Sequence, residues 1–217
     1  MKAVIFDLDG LLINSEPSWD KTYEIFIKKY KLEDRPHFHD QMIGRGLRGV
    51  IEIIQKELGL SGDTDKLLVE YREIFFKVFS GEKEVLKEGA LELVKSLSNR
   101  GICQAVATGG PNKEMINSIL EREHILSYFH VIVSSDQVKR GKPFPDIFLE
   151  TAKELSFSPV DCVVLEDSAN GILAAKAAGM RSIGVNSVLM WRKDLEKAGA
   201  DLVLTSLEEV KLEDLGL

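Results

Sequence analysis

The chain opens Met1-Lys-Ala-Val-Ile-Phe-Asp7-Leu-Asp9-Gly10, and this stretch decides the fold. Four apolar residues, 3–6, predict a strand buried on both faces, as in a parallel sheet. Gly10 permits the sharp turn that ends the strand. Alternate residues of an extended chain point to the same side, so Asp7 and Asp9 can approach one site. Their mutual repulsion is relieved either by protonation of one carboxylate or by a cation between them.

Composition narrows the class of protein. The 217 residues include 28 Lys and Arg against 35 Asp and Glu, a formal net charge of −7, so the basic stripe of a nucleic-acid-binding protein is not expected. We also expect no membrane partner, since no apolar run approaches membrane-spanning length. No signal peptide is visible, which predicts a cytoplasmic protein, with a monomer as the default. Cys103 and Cys162 fit small buried hydrophobic positions better than a disulfide.

Apolar spacing divides the chain into two parts. Residues 15–82 carry three amphipathic helical patterns without a strand, which is enough for a small helical unit. From residue 83 onward strands, including 102–107 and 162–165, alternate with helices, as in βαβ units. We therefore predict an α/β fold. Its doubly wound, Rossmann-like parallel-sheet core comprises residues 1–14 and 83–217, and an all-helical cap, residues 15–82, is inserted into it.

Chemically active residues follow four of the predicted strands, and ligands of open parallel sheets bind beyond those strand ends. In chain order these residues are Asp7 and Asp9, then Thr108 with Gly109 and Gly110, then Lys142, and finally Glu166 and Asp167. Each alone has a simpler explanation, such as a solvated turn, a helix cap or a surface lysine. Together they form a set suited to phosphoryl transfer with a hard divalent cation. Because they occur together and in this order at successive strand ends, a functional site is favoured over the simpler explanations.

The same residues carry a family resemblance. The stretches Asp7-x-Asp9-Gly10, Thr108 after its strand, Gly141-Lys142-Pro143-x-Pro145 and Glu166-Asp167-Ser168-x-x-Gly171 resemble the four motifs of the haloacid dehalogenase-like hydrolase superfamily. The helical insert, preceded by Asn14-Ser15-Glu16-Pro17, is similar to the C1-type cap of the subfamily that contains β-phosphoglucomutase and sugar-phosphate phosphatases. The resemblance extends over nearly the whole chain.

This resemblance implies a role for each catalytic residue. Asp7 would be the nucleophile that forms an aspartyl-phosphate. Asp9 would be the general acid for the leaving oxygen and then the base that activates water, although a role in merely orienting water stays open. Lys142 and Thr108, with nearby backbone amides, would stabilise charge on the transferring phosphoryl group.

The resemblance also implies a Mg²⁺ cofactor. Its ligands would be Asp7, the backbone carbonyl of Asp9, and Asp167, with Glu166 bound directly or through water. Gly109 and Gly110 are the expected substrate-binding amides. A phosphorylated small metabolite is the expected substrate.

The cap residues bear on the substrate and on the type of reaction. Arg45 would contact an anionic or polyhydroxylated substrate, or else be a solvated residue before a helix. Ser15 and Trp19 begin the first cap helix and are further substrate-binding candidates, with core packing the alternative for Trp19.

Phosphoglucomutases that resemble this chain carry a histidine at the position of Trp19. The indole therefore favours a phosphatase acting on a sugar phosphate over a sugar phosphomutase. Dehalogenation, or a phosphate-accepting signalling protein, fits the acidic set and the long cap less well.

Overall fold

The computed structural model, which describes residues 3–34, 46–83 and 85–216, contains one six-stranded parallel sheet. The strands are β1 (Ala3–Phe6), β2 (Cys103–Thr108), β3 (Val131–Ser134), β4 (Cys162–Glu166), β5 (Arg181–Val185) and β6 (Leu202–Leu204). Their order in space is β3-β2-β1-β4-β5-β6, so the strand order reverses between β1 and β4. A crevice at such a switch point is the usual ligand site of a doubly wound sheet.

Eight α-helices in the described residues accompany the sheet. They are α1 (Glu16–Lys29), α2 (Leu47–Leu58), α3 (Thr64–Phe79), α4 (Ala90–Ser98), α5 (Lys113–Arg122), α6 (Asp146–Leu155), α7 (Ala169–Ala177) and α8 (Leu189–Lys197). Helices α1–α3, here called the helical insert, follow β1 directly, and the other helices alternate with strands. The predicted fold class, a Rossmann-like core with inserted helices, is confirmed. The domain boundaries at 14/15 and 82/83 stay a prediction.

Strand β1 is covered on both faces, as its apolar run predicts. Ala3 and Ile5 belong to an apolar cluster that includes Phe148 of α6, whereas Val4 and Phe6 belong to a cluster on the opposite face. All four strand residues are completely buried. This burial places the end of β1, and hence Asp7, in the middle of the molecule.

The helical insert has its own apolar cluster, which includes Phe26, Ile51 and Tyr71. Asp63 caps α3 by accepting a hydrogen bond from the Lys66 backbone N–H at 3.0 Å. The last turns of α3 instead pack against the sheet, because Phe75 belongs to the apolar cluster that contains Val4 and Phe6 of β1. The insert is therefore packed onto the sheet domain rather than tethered by its two connections alone.

A charged pair also joins the insert to the sheet. Arg72 of α3 donates two hydrogen bonds to the carboxylate of Asp136, at 2.8 and 2.5 Å, just after β3. The arginine side chain is only 9% exposed.

Within the described residues, no helix is both long and apolar enough to cross a bilayer.

Candidate active site

One lysine joins the ends of the three central strands. Pairing of Phe6 with Val106 and with Leu165 places Asp7, Ala107 and Glu166 in one row across the sheet. The Nζ atom of Lys142 donates to Asp7 Oδ1 and Glu166 Oε1, both at 2.5 Å, and to the carbonyl of Ala107 at 3.2 Å. Lys142 comes from the loop before α6, and its side chain is 6% exposed. The ammonium thus lies buried between two carboxylates.

Strands β2 and β4 each end one residue later than the sequence pattern predicts. Thr108 pairs with Ser134 of β3, and Glu166 pairs with Gly184 of β5, so ladder hydrogen bonding continues through both functional residues. Asp7 likewise donates its backbone N–H to Leu165 O at 3.0 Å. Three of the predicted site residues are consequently held by the sheet rather than by loops.

Burial dominates the electrostatics of the acidic residues. It raises the pKa of Asp7 well above the usual range, against the lowering effect of Lys142, and Glu166 and Asp9 raise it further. Burial and the neighbouring carboxylates of Glu166 and Asp7 likewise raise the pKa of Asp167. For Lys142, burial lowers the pKa, but the two carboxylates outweigh it and the net shift is upward. The lysine therefore stays charged, whereas the ionised forms of Asp7 and Asp167 are disfavoured.

Asp9 is held by two donors that come from different parts of the chain. The indole Nε1 of Trp19 donates to Asp9 Oδ1 at 3.0 Å, and the hydroxyl of Thr108 donates to Oδ2 at 3.0 Å. The backbone N–H of Gly110 in turn donates to the Thr108 hydroxyl at 3.2 Å. Asp7 and Asp9 thus have separate partners, although they lie only two residues apart.

Glu166 is anchored on its second oxygen by the start of α7. Both the backbone N–H and the hydroxyl of Ser168 donate to Glu166 Oε2 at 2.8 Å. Ser168 also caps α7, since its hydroxyl accepts from the Gly171 backbone N–H at 3.1 Å. The cap of this helix is therefore Ser168 rather than Asp167.

Two glycines let the acidic groups approach the backbone. A Cβ on Gly10 would lie 2.1 Å from Asp167 Oδ2, and one on Gly110 would lie 2.3 Å from Asp9 Oδ2. Gly10 also has a φ of 81°, in the left-handed region that favours glycine. Any side chain at these positions would displace a carboxylate of the site.

One cavity of about 780 Å³ contains the predicted site residues that the structure describes. Its lining includes Asp7, Asp9, Ser15, Trp19, Thr108, Gly109, Gly110, Lys142, Glu166 and Asp167. Arg45 lies outside the described residues, so its predicted contact is not addressed. The buried hydroxyl of Ser15 has no hydrogen-bond partner among the described residues. Trp19 contacts a catalytic candidate, which its sequence position alone did not reveal.

Sequence reasoning missed two supporting residues. Ser168 is part of the Glu166-Asp167-Ser168 motif, but the sequence does not indicate that its hydroxyl anchors Glu166. Asn186, which follows β5, donates its side-chain N–H to the backbone carbonyl of Asp167 at 3.2 Å and holds that turn. The signal available for Asn186 was its place at a further strand end, where polar residues of an open sheet gather.

The acidic end of the cavity fits a hard divalent cation in its charge and in its donor types. Among the described residues, the cavity lining includes the carboxylates of Asp7, Asp9, Glu166 and Asp167, and the buried Lys142 ammonium contacts Asp7 and Glu166. No three His, Cys, Asp or Glu side chains in the described ranges form a complete metal cluster by themselves. Mg²⁺ binds through one or two carboxylates and otherwise keeps several waters.

The chain resembles known proteins over nearly its whole length. The family model described as haloacid dehalogenase-like hydrolase matches residues 4–185. The phosphorylated carbohydrates phosphatase of Thermotoga maritima is 35% identical over 97% of this chain and 96% of its own length. The β-phosphoglucomutase of Bacillus subtilis is 32% identical over 98% of this chain and 93% of its own length.

Other similar proteins differ more in length or in sequence. The bifunctional riboflavin kinase/FMN phosphatase of Arabidopsis thaliana is 33% identical over 99% of this chain, which spans only 56% of that protein. The crystal structure of CbbY from Rhodobacter sphaeroides in complex with phosphate superposes with a TM-score of 0.86 at 28% identity. Each of the two chains is covered completely in that superposition.

Proposed function

The chain belongs to the haloacid dehalogenase-like hydrolases, and from this premise we propose that it is a Mg²⁺-dependent phosphatase with Asp7 as nucleophile. The observation that carries the proposal is the contact of the Lys142 ammonium with Asp7 and Glu166, together with the nearby carboxylate of Asp9. The buried ammonium of Lys142 contacts one oxygen of Asp7 at 2.5 Å. The carboxylate of Asp9, two residues away, accepts hydrogen bonds from other donors. Nucleophile, charge stabiliser and proton carrier are thereby distinct groups.

The reaction proceeds in two displacements. The Asp7 carboxylate attacks phosphorus, the bond from phosphorus to the leaving oxygen breaks, and Asp9 gives that oxygen a proton. Asp9 then takes a proton from water as the water oxygen attacks the aspartyl-phosphate. This releases inorganic phosphate and restores Asp7. We assign the attack to Oδ2 of Asp7, because Lys142 donates to Oδ1.

The surroundings of the nucleophile stabilise the phosphoryl charge. The cavity is lined by Lys142, Thr108, Gly109 and Gly110. Fixed donors in a partly water-excluded site stabilise developing charge more strongly than donors in bulk water do. They also orient the phosphoryl group toward Asp7.

A bound Mg²⁺ would neutralise charge on the phosphoryl oxygens and on Asp7. Asp7, the backbone carbonyl of Asp9, and Asp167 would hold it. Glu166 would act through water, because its two oxygens already accept hydrogen bonds from Lys142 and Ser168.

The proposed substrate is a small phosphorylated metabolite, with a sugar phosphate as the first choice. The Thermotoga maritima relative is named for phosphorylated carbohydrates, and the cavity of about 780 Å³ accommodates a sugar beside the phosphoryl group. We propose that the helical insert acts as the cap over this cavity and limits access of water. Arg45 stays a proposed substrate contact.

A sugar phosphomutase is the second candidate, favoured by the Bacillus subtilis relative named β-phosphoglucomutase. Trp19 argues against it, because an indole N–H only donates and cannot exchange protons with a sugar. Conversion of β-glucose 1-phosphate to glucose 6-phosphate, primed by the bisphosphate, would establish the mutase. Release of phosphate without that conversion supports the phosphatase.

The central experiment is a phosphate-release panel of sugar phosphates, nucleotides and phosphoglycolate, alongside p-nitrophenyl phosphate. We expect activity with Mg²⁺, loss with EDTA, and no activity of Asp7→Asn. The matched control is Asp65→Asn, at a carboxylate that is 75% exposed and pairs with Arg48. Full activity of Asp7→Asn would refute the mechanism, and a stably phosphorylated protein that releases no phosphate would indicate a signalling role.

A further inference from the structure

Trp19 connects the helical insert to the second carboxylate of the site. Its Nε1 donates to Asp9 Oδ1 at 3.0 Å from α1, whereas the donor to Oδ2, Thr108, ends a strand of the sheet. The Asp9 carboxylate is therefore held from two sides by elements of different parts of the fold. Removing either donor leaves the carboxylate held from one side only.

The indole itself is held by stacking. The rings of Trp19 and Phe75 are nearly parallel, with an interplanar angle of 12° and centroids 3.5 Å apart. Tyr71 adds a second parallel ring at 6.0 Å, and both partners belong to α3. On the site side, the indole lies beside the backbone of Gly110, where a Cβ would be in ordinary van der Waals contact with Trp19 Cζ2 at 3.5 Å. The direction of the N–H group is thus set by the packing of the insert.

We propose that Trp19 is the positioning residue that holds Asp9 for proton transfer to the leaving oxygen. This inference rests on the proposed function, in which Asp9 carries that proton. An indole N–H exchanges no proton at ordinary pH, so its contribution is the orientation of the carboxyl group. Orientation matters because general acid catalysis requires the acid within hydrogen-bond reach of the oxygen that it protonates. Since Trp19 lies on the helical insert, Asp9 is correctly oriented only when the insert is seated on the sheet.

The leaving group separates this role from substrate binding. Nitrophenolate leaves as a stable anion and needs little protonation, whereas the more basic phenolate needs it. Phenyl phosphate and p-nitrophenyl phosphate are similar in size and would make similar contacts in the cavity. A fault in Asp9 orientation should therefore lower kcat/KM for phenyl phosphate selectively, whereas a fault in binding or packing should lower both alike.

The test compares Trp19→Phe with the unaltered protein in the presence of Mg²⁺. We expect kcat/KM to fall about 10- to 100-fold for phenyl phosphate, part of the general acid contribution, and less than about threefold for p-nitrophenyl phosphate. The control is Tyr128→Phe, which removes an aromatic hydroxyl away from the cavity and should leave both values unchanged. If Trp19→Phe does not fold, benzothienylalanine at position 19 keeps the two-ring shape without the N–H.

Two outcomes would overturn the inference. Equal losses on the two substrates would make Trp19 a packing or binding residue, and unchanged values would show that Asp9 needs no such donor. Asp9→Asn separates this inference from the proposed function. If Asp9→Asn keeps full activity on phenyl phosphate, the role of Asp9 itself is wrong. If Asp9→Asn is inactive and Trp19→Phe is normal, only the positioning role fails.

Discussion

Replacement of Gly171 by alanine tests whether the acidic site is as crowded as its geometry indicates. Gly171 lies in the first turn of α7, and a Cβ there would fall 1.8 Å from the carboxyl carbon of Glu166 and 1.9 Å from its Oε1. In an unconstrained helix the same substitution stabilises by about 1 kcal/mol, because alanine is the better helix former. The two effects have opposite signs, so their magnitudes decide the outcome.

The crowding effect is the larger one. Glu166 accepts from Lys142 at 2.5 Å and twice from Ser168 at 2.8 Å, so it cannot move aside without breaking several charge-assisted hydrogen bonds. Breaking a buried ion pair costs about 3–5 kcal/mol. Subtracting the helix-propensity gain leaves a net loss of about 2–4 kcal/mol. In a domain of this size, that corresponds to a melting temperature lower by roughly 5–15 °C.

Thermal unfolding of Gly171→Ala, followed by circular dichroism, measures the effect directly. We also expect phosphatase activity to fall, since a displaced Glu166 no longer holds Lys142 against Asp7. Gly81→Ala is the control, because its Cβ would find its nearest neighbour, the Val78 carbonyl, at 3.4 Å. A Gly171→Ala protein that melts at or above the unaltered temperature would refute the reasoning, since α7 would then have shifted without loss.

Three further predictions follow from burial and charge. The pKa values of Asp7 and Asp167 are raised in the folded state, so the metal-free folded protein retains protons that the unfolded chain loses above about pH 4. The free energy of unfolding therefore falls as pH rises, by up to about 1.4 kcal/mol per pH unit for each carboxyl group. In EDTA the protein should therefore melt higher at pH 5 than at pH 7, and Mg²⁺ should reduce the difference; a flat profile in EDTA would contradict this. Arg72→Met breaks the ion pair with half-exposed Asp136 and should lower the free energy of unfolding, measured in urea, by about 1–2 kcal/mol. An unchanged free energy of unfolding would show that this pair does not stabilise the protein. Burial raises the pKa of the Cys162 thiol to about 11, so Ellman's reagent should label it only after unfolding, and rapid labelling of the native protein would disprove its burial.

The strands and the edge that carries the site follow from local sequence signals. The run of residues 3–6 is apolar because both faces of β1 are covered, and that burial is complete in the structure. Parallel strands bring their carboxyl ends to one edge, so Asp7, Thr108 and Glu166 converge although about 160 residues separate the first from the last. Sequence order alone is sufficient for this prediction, since it needs strand direction and no side-chain packing.

The partners within the site depend on packing and were beyond the reach of sequence patterns. The polar atom of Trp19 could face solvent, substrate or the sheet, and stacking on Phe75 of α3 decides between them. Helix α2 lies between α1 and α3 in the sequence, so no local sequence pattern predicts that α1 and α3 are in contact. The same holds for Ser168, whose hydroxyl serves both a helix cap and Glu166.

The pair Asp7 and Asp9 illustrates how one motif yields two chemical roles. Their side chains leave the chain on the same side, and the sequence alone offers protonation or a cation as relief for their repulsion. The structure adds a third means, because each carboxylate has donors of its own: Lys142 for Asp7, and Trp19 with Thr108 for Asp9. Lys142 contacts Asp7 and Glu166, yet the pKa values of Asp7 and Asp167 are still raised, so a cation beside them would favour their ionised forms at neutral pH. In the proposed mechanism, the metal would act on the side of Asp7, whereas the orientation of Asp9 would depend on the seating of the helical insert.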